Sequence, residues 1–131
     1  MSNAEVVRRA FAAAERADKA DLYRCLDPQV QWHMLGWLGD RAPVRSGREA
    51  VWSYSLTVQA TFEELVNELS EPVEIGNQVV IRIHTHGRGK DGAADVDMTY
   101  TGVFLVRDEK IVSGENFEDH EEALTEATLR A

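Results

Sequence analysis

Thr101-Gly102-Val103-Phe104-Leu105-Val106-Arg107-Asp108-Glu109-Lys110-Ile111 reads as the end of one extended segment, a tight polar turn and the start of another. Apolar and β-branched residues on both sides of Arg107-Asp108-Glu109 make it a hairpin. Working outward, period-2 patterning extends over about 65–75, 78–87, 95–107 and 110–118. Gly76-Asn77 and the stretch from Gly87 to Ala94 are the other breaks. Connections this short predict antiparallel neighbours.

Upstream the period is helical. Ser2-Asn3-Ala4-Glu5 is a capping box, followed by Val7, Phe11 and Ala14 with Val6, Ala10 and Ala13 beside them. Asp18 offers a second start, and Leu22, Tyr23 and Leu26 form the stripe of a short helix that Asp27-Pro28 is expected to stop. Val30 to Met34 alternates as a short strand, with Trp32 and Met34 on one side and His33 on the other. Ser46-Gly47-Arg48-Glu49 reads as another capping box, opening a third helix that presents Val51, Tyr54, Ser55, Val58 and Phe62 and ends near Thr61. Asp119 caps a closing helix with acidic residues in its first turn. The order predicts one α+β domain over 1–131. A cone-shaped, curved antiparallel sheet wraps an N-terminal helix hairpin and a third helix, leaving an apolar interior open at one end.

Composition narrows the function classes. The 131 residues carry 14 Lys+Arg against 23 Asp+Glu, a net charge of −9, which argues against a nucleic-acid surface built on Lys and Arg. A 44% hydrophobic content is enough for a core in a chain of this length. No apolar run approaches the ~18–20 residues of a membrane span, and 1–15 lacks the order of a signal peptide, so the expectation is a cytosolic protein without a membrane partner. Cys25 has no disulfide partner and reads as a small buried hydrophobe.

Two stretches carry a family resemblance. Val30-Gln31-Trp32-His33-Met34 with Arg45-Ser46-Gly47-Arg48-Glu49-Ala50-Val51, and Thr101 to Ile111 with Phe117-Glu118-Asp119-His120-Glu121-Glu122-Ala123-Leu124, resemble segments of SnoaL-like domains. These belong to the nuclear-transport-factor-2-like, or ketosteroid-isomerase-like, superfamily, which includes isomerases, hydrolases, polyketide cyclases, dehydratases and domains without chemistry. The resemblance implies the cone fold and a homodimer. Its carboxylate seats hold other residues here. The limonene epoxide hydrolase positions are matched by Arg82, His84 and Asn116, the isomerase positions by Met34 and Gly102, and the cyclase positions by Asn116 and Gly114.

The presumed inner face then carries Trp32, Met34, Arg82, His84, His86, Met98, Tyr100, Gly102, Phe104, Gly114, Asn116 and Glu118, with Tyr54 from the third helix. His84 is the candidate acid–base, because an imidazole titrates near neutrality. Arg82 would orient it or hold a substrate carboxylate, and Asn116 and Tyr100 would donate to a developing oxyanion. Trp32, Met34, Tyr54, His86, Met98, Tyr100, Phe104 and Glu118 complete a substrate-binding set.

Simpler readings stand beside these. Period 2 does not say which face is the core, so Arg82, His84 and His86 could point outward with Val79, Ile81 and Ile83 inward. His84-Thr85-His86 could share a metal if Glu118 or Asp97 supplied a third ligand, although no metal or other cofactor is expected. Trp32, Trp37 and Trp52 serve as wall and core as readily as for stacking. Gly87-Arg88-Gly89-Lys90 is a hairpin turn more simply than an anion loop. The expected function is a cofactor-independent proton transfer on a mostly apolar, cyclic carbonyl- or hydroxyl-bearing molecule; the alternative is a pocket that binds without reacting. Taken as outward residues, Val79, Ile81, Ile83, Val103 and Leu105 would make the outer face apolar and suit it to a homodimer contact.

Overall fold

Ser2 opens the first helix, α1 (Asn3–Glu15), its side chain accepting from the Glu5 amide as the capping box requires. The computed structural model describes residues 1–33 and 44–131. Asp18 caps α2 (Lys19–Arg24) through the Asp21 amide. The second helix stops two residues earlier than its stripe suggests. Leu26, Asp27 and Pro28 instead open β1 (Leu26–His33), where Leu26 is buried opposite Ile111.

β2 (Val44–Ser46) pairs with β1 and leads into α3 (Arg48–Thr61). The expected capping box is not formed. Ser46 ends the strand, and Gly47 is the N-cap at φ 88°, a conformation that favours glycine, with no side-chain hydrogen bond. The expected strand over 65–75 is two strands, β3 (Phe62–Leu69) and β4 (Val73–Ile75). Pro72 lies in the break between them, where its missing N–H costs the sheet nothing. β5 (Gln78–Gly89), β6 (Val96–Arg107) and β7 (Lys110–Phe117) follow, and Asp119 caps α4 (His120–Arg130).

Among the described residues the strands form a curved, unclosed seven-stranded sheet in the order β2-β1-β7-β6-β5-β3, with β4 on β5. It is mixed, since β1 runs parallel to β7. The inner face holds the main core, in which Val6, Val7 and Ala10 of α1 meet Val79, Ile81, Ile83, Phe104 and Trp32. On the outer face α4 lays Ala123 and Ala127 over Val80 and Val103, and Gln78 Nε2 donates to the Ala127 carbonyl at 2.7 Å.

The face of β5 corrects the first reading. Gly87 pairs with Val96 and the loop between them holds an even number of residues, so odd positions of β5 share a face with even positions of β6. Ile81 stands opposite Gly102 and Ile83 opposite Tyr100. A register shift between Leu105 and Val106 brings even positions of β6 and β7 together, Gly102 opposite Asn116 and Phe104 opposite Gly114. Val79, Ile81 and Ile83 therefore point inward, and Arg82, His84 and His86 outward. The apolar outer face that motivated a homodimer loses those three residues, and α4 covers Val80 and Val103.

Candidate functional site

Between α1, α3 and the inner face of the sheet lies a cavity of about 380 Å³. Two glycines shape the packing behind its aromatic wall. A Cβ on Gly102 would stand 2.5 Å from the Phe104 ring, and one on Gly114 would stand 3.0 Å from the same ring. Glycine at both positions lets the fully buried Phe104 lie flat on β6 and β7. Its ring meets Trp32 and Phe11 edge to face, at centroid distances of 5.2 and 5.8 Å. Trp32 and Phe11 in turn line the cavity with Ala10, Ala14, Leu22, Val51, Val58, Phe62 and Leu65.

Polar groups enter this lining from the strands and from α3. The Thr85 hydroxyl donates to Asn67 Oδ1 at 2.5 Å and lies 3.3 Å from the Tyr100 hydroxyl. Burial pushes the Tyr100 phenol above its usual range, with Thr85 acting in the opposite sense and the nearby Tyr54 adding to the rise. Tyr100 therefore stays protonated at neutral pH and can donate a hydrogen bond. Asn116 Oδ1 is buried and has no hydrogen-bond partner among the described residues, the state expected of a group whose partner is a ligand. Tyr54, Ser55 and Gln59 contribute from α3, and Gln59 Nε2 donates to the Ala14 carbonyl. Glu15, Glu63 and Lys90 line the mouth, where all three are exposed. Glu15 is tied to β3, its Oε1 accepting the Asn67 amide at 2.8 Å.

Of the residues expected here, Trp32, Tyr54, Tyr100 and Asn116 line the cavity. Phe104 packs behind Trp32, and Met98 shares the inner face of β6 opposite Thr85 without joining the lining. Met34 lies outside the described residues, as does Trp37. Arg82, His84, His86 and Glu118 lie elsewhere: the three β5 residues are on the opposite sheet face, and Glu118 lines an outer groove with Arg82, Thr101 and His120. Burying a guanidinium and two imidazoles would cost more than burying Val79, Ile81 and Ile83, which decides the face. A histidine acid–base inside the cavity is thereby corrected, since none of the described lining residues is a histidine.

Sequence reasoning missed Thr85, Asn67, Glu15 and Gln59. Thr85 stands between two histidines that drew the functional reading, and Asn67 is a polar interruption at an inward position of β3, opposite Thr85.

The outer face carries a cluster of its own. His84 has Asp97 Oδ1 at 2.7 Å from Nε2 and Glu68 Oε2 at 3.1 Å from Nδ1, while His86 Nε2 lies 3.6 Å from Glu68 Oε1. The bonds to Asp97 and then Glu68 raise the His84 pKa, and the bond to His84 lowers that of Glu68.

Comparison with solved structures places the fold. A nuclear-transport-factor-2-like protein from Burkholderia xenovorans is 26% identical, with 96% of this chain and 95% of that chain covered and a TM-score of 0.75. IdmH of Streptomyces antibioticus, for which polyketide cyclase activity has been put forward, is 22% identical over 100% of both chains, TM-score 0.75. A Sinorhizobium meliloti protein with the same suggested activity is 18% identical over 88% of this chain and 99% of that chain, TM-score 0.69. No curated protein sequence matches this chain. No helix among the described residues is long and apolar enough to cross a membrane. The model of the SnoaL-like domain matches residues 7–114, a span that runs from the cavity face of α1 to the glycine beneath Phe104, and the chain belongs to that family.

Proposed function

We propose that this SnoaL-like chain takes a flat, mostly apolar small molecule bearing a carbonyl or hydroxyl oxygen into its cavity and promotes a cofactor-independent proton shift on it. The observation that carries the reading is the partly buried Tyr100 hydroxyl, braced by Thr85 and facing the same cavity as Asn116. A volume near 380 Å³ is within the range of small-molecule pockets, and Phe11 and Trp32 supply aromatic surface for a planar ring. Tyr100 donates to the substrate carbonyl oxygen, whose negative charge grows as an adjacent carbon loses its proton, so the bond strengthens in the transition state. Asn116 Oδ1 accepts from a ligand hydroxyl. Glu15 is assigned as the proton acceptor, because the Asn67 amide fixes its carboxylate beside the cavity. The proton returns from Glu15 to another atom of the substrate, leaving the chain unchanged.

A second reading, binding without chemistry, is favoured by one feature: the lining's carboxylates, Glu15 and Glu63, are both at the exposed mouth. One experiment separates the two. The bicyclic ketone α-tetralone is incubated with the protein in heavy water, and deuterium uptake beside its carbonyl is followed by NMR while binding is followed by tryptophan quenching. Catalysis predicts saturable exchange above buffer, slowed about 10²- to 10³-fold in kcat by Tyr100→Phe. Glu15→Gln lowers it too, and His84→Ala leaves it unchanged. Saturable quenching without exchange supports the binding reading, and the absence of both overturns the cavity assignment.

A further inference from the structure

The side-chain cluster on the outer face points to a site independent of the cavity. β5 places His84 and His86 on one face two positions apart, with ring centroids 4.7 Å from each other. β3 sets Glu68 directly opposite His84. One ligand atom from each of these three residues can be chosen so that all lie within 4.8 Å of one another. The Glu68 carboxylate already spans the pair, 3.1 Å from His84 Nδ1 and 3.6 Å from His86 Nε2. Ligands held tetrahedrally at zinc bond lengths of ~2.0–2.2 Å stand ~3.3–3.6 Å apart, so side-chain rotations of about 1 Å bring the three ligand atoms, all within 4.8 Å of one another, to that spacing.

Asp97 completes the arrangement from β6. Its carboxylate lies 2.7 Å from His84 Nε2, and in the tautomer where it accepts the Nε2–H the Nδ1 lone pair turns toward Glu68. A lone pair facing a carboxylate is repulsive unless a proton or a metal ion lies between them. A carboxylate behind a ligating imidazole is the usual outer support of a zinc histidine. Glu68 and Asp97 together match the charge of a divalent ion, and imidazole donors favour zinc, copper or nickel over magnesium or calcium. The cations of this face have other carboxylates beside them: Arg88 lies 3.9 Å from Glu64, and Arg82 lines the groove with Glu118.

We propose that Glu68, His84 and His86 bind a divalent transition-metal ion, zinc by the chemistry of the donors, on the outer face of the sheet, with Asp97 holding His84 in its ligating tautomer. The remaining coordination position opens to solvent and is filled by water. Such an ion ties β3 to β5 at the open end of the sheet.

The test uses the full chain without a polyhistidine tag, stripped with chelator and titrated with zinc chloride by calorimetry and with cobalt chloride by visible absorption. One saturable equivalent per chain is expected, with the spectrum of a tetrahedral or five-coordinate cobalt site and no saturation by magnesium chloride. His84→Ala and His86→Ala each abolish that equivalent. Asp97→Asn keeps the stoichiometry and weakens affinity ~10- to 100-fold. The cavity variant Tyr100→Phe binds zinc as the unaltered chain does. Absence of saturable uptake, or uptake unchanged in both histidine variants, overturns the site. If a histidine variant fails to fold, Glu68→Gln and Asp97→Asn decide it, and undiminished affinity in both overturns it equally.

Discussion

Gly102→Ala tests the packing behind the cavity wall with a single methyl group. The new Cβ would stand 2.5 Å from Phe104 Cε2 and 2.7 Å from Cζ, where carbon atoms prefer ~3.5–4.0 Å. The ring must therefore move by roughly 1 Å. It has no free direction to take, because Phe104 is fully buried and its edge meets Trp32 and Phe11. Overpacking of this kind costs about 1–3 kcal/mol. The backbone at Gly102 is not in the left-handed region, so alanine also recovers ~0.5–1 kcal/mol of chain entropy. The net loss lies between about 0 and 2.5 kcal/mol and centres near 1 kcal/mol, equivalent there to a Tm lower by roughly 3–6 °C for a domain of this size. Thermal and urea unfolding followed by circular dichroism measure it, and the decisive comparison is the same substitution in a Phe104→Leu background. With the ring gone the clash disappears, and Gly102→Ala becomes neutral or slightly stabilising. An equal cost in both backgrounds, or no cost in either, refutes the claim that the glycine exists to seat Phe104.

Other substitutions probe other parts of the fold. On β5, Ile81→Ala costs about 2–5 kcal/mol in urea unfolding, whereas Arg82→Ala, one residue along, stays within ~0.5 kcal/mol; a reversed order would return the guanidinium row to the interior. Gln78→Ala leaves the Ala127 carbonyl without its buried donor and lowers stability by about 1–3 kcal/mol, with hydrogen exchange rising first in α4. Asp21 accepts from Arg9 at 2.5 Å and from Arg16 at 2.7 Å, and these bonds, that from Arg9 foremost, hold its carboxyl down to about 2 against an ordinary 3.8. A folded-state pKa below the unfolded one means stability that is complete above pH ~4–5 and lost as pH falls through 4 toward 2. In a urea series across that range Asp21→Asn shows a shallower acid slope, and an unchanged slope would remove Asp21 from the acid response.

Most of the architecture is legible in local chemistry. The caps at Ser2, Asp18 and Asp119 each open a helix where the side chain can reach a free amide. Two features are not legible, each because it depends on pairing. The parallel β1–β7 contact joins residues far apart in the chain, and no turn signal announces it. The register shift between Leu105 and Val106 follows a turn in which Asp108 and Glu109 both have positive φ, a conformation their residue types do not advertise. The face of β5 was open to a burial argument, since Val79, Ile81, Ile83 and Thr85 alternate with the more polar row of Arg82, His84 and His86. Attention to titratable groups favoured the wrong row for the cavity.

The two faces of β5 explain why function was harder to place than fold. A strand hands successive residues to opposite environments, so one segment can serve two sites without either constraining the other. Inward, Thr85 costs the core a hydroxyl and returns it by bracing Tyr100 and Asn67. Inside its mouth, where Glu15, Glu63 and Lys90 stand, the cavity is lined by apolar and neutral polar side chains. Asn116 Oδ1, without a hydrogen-bond partner among the described residues, carries a cost of about 1–3 kcal/mol that a hydrogen-bond donor entering the cavity would relieve. Outward, His84 and His86 meet carboxylates on both neighbouring strands, Glu68 on β3 and Asp97 on β6. That environment suits a proton or a metal ion and would be prohibitive inside the cone. The same imidazoles that would supply acid–base chemistry in the cavity are kept out of it because burying them with Arg82 costs more than burying Val79, Ile81 and Ile83.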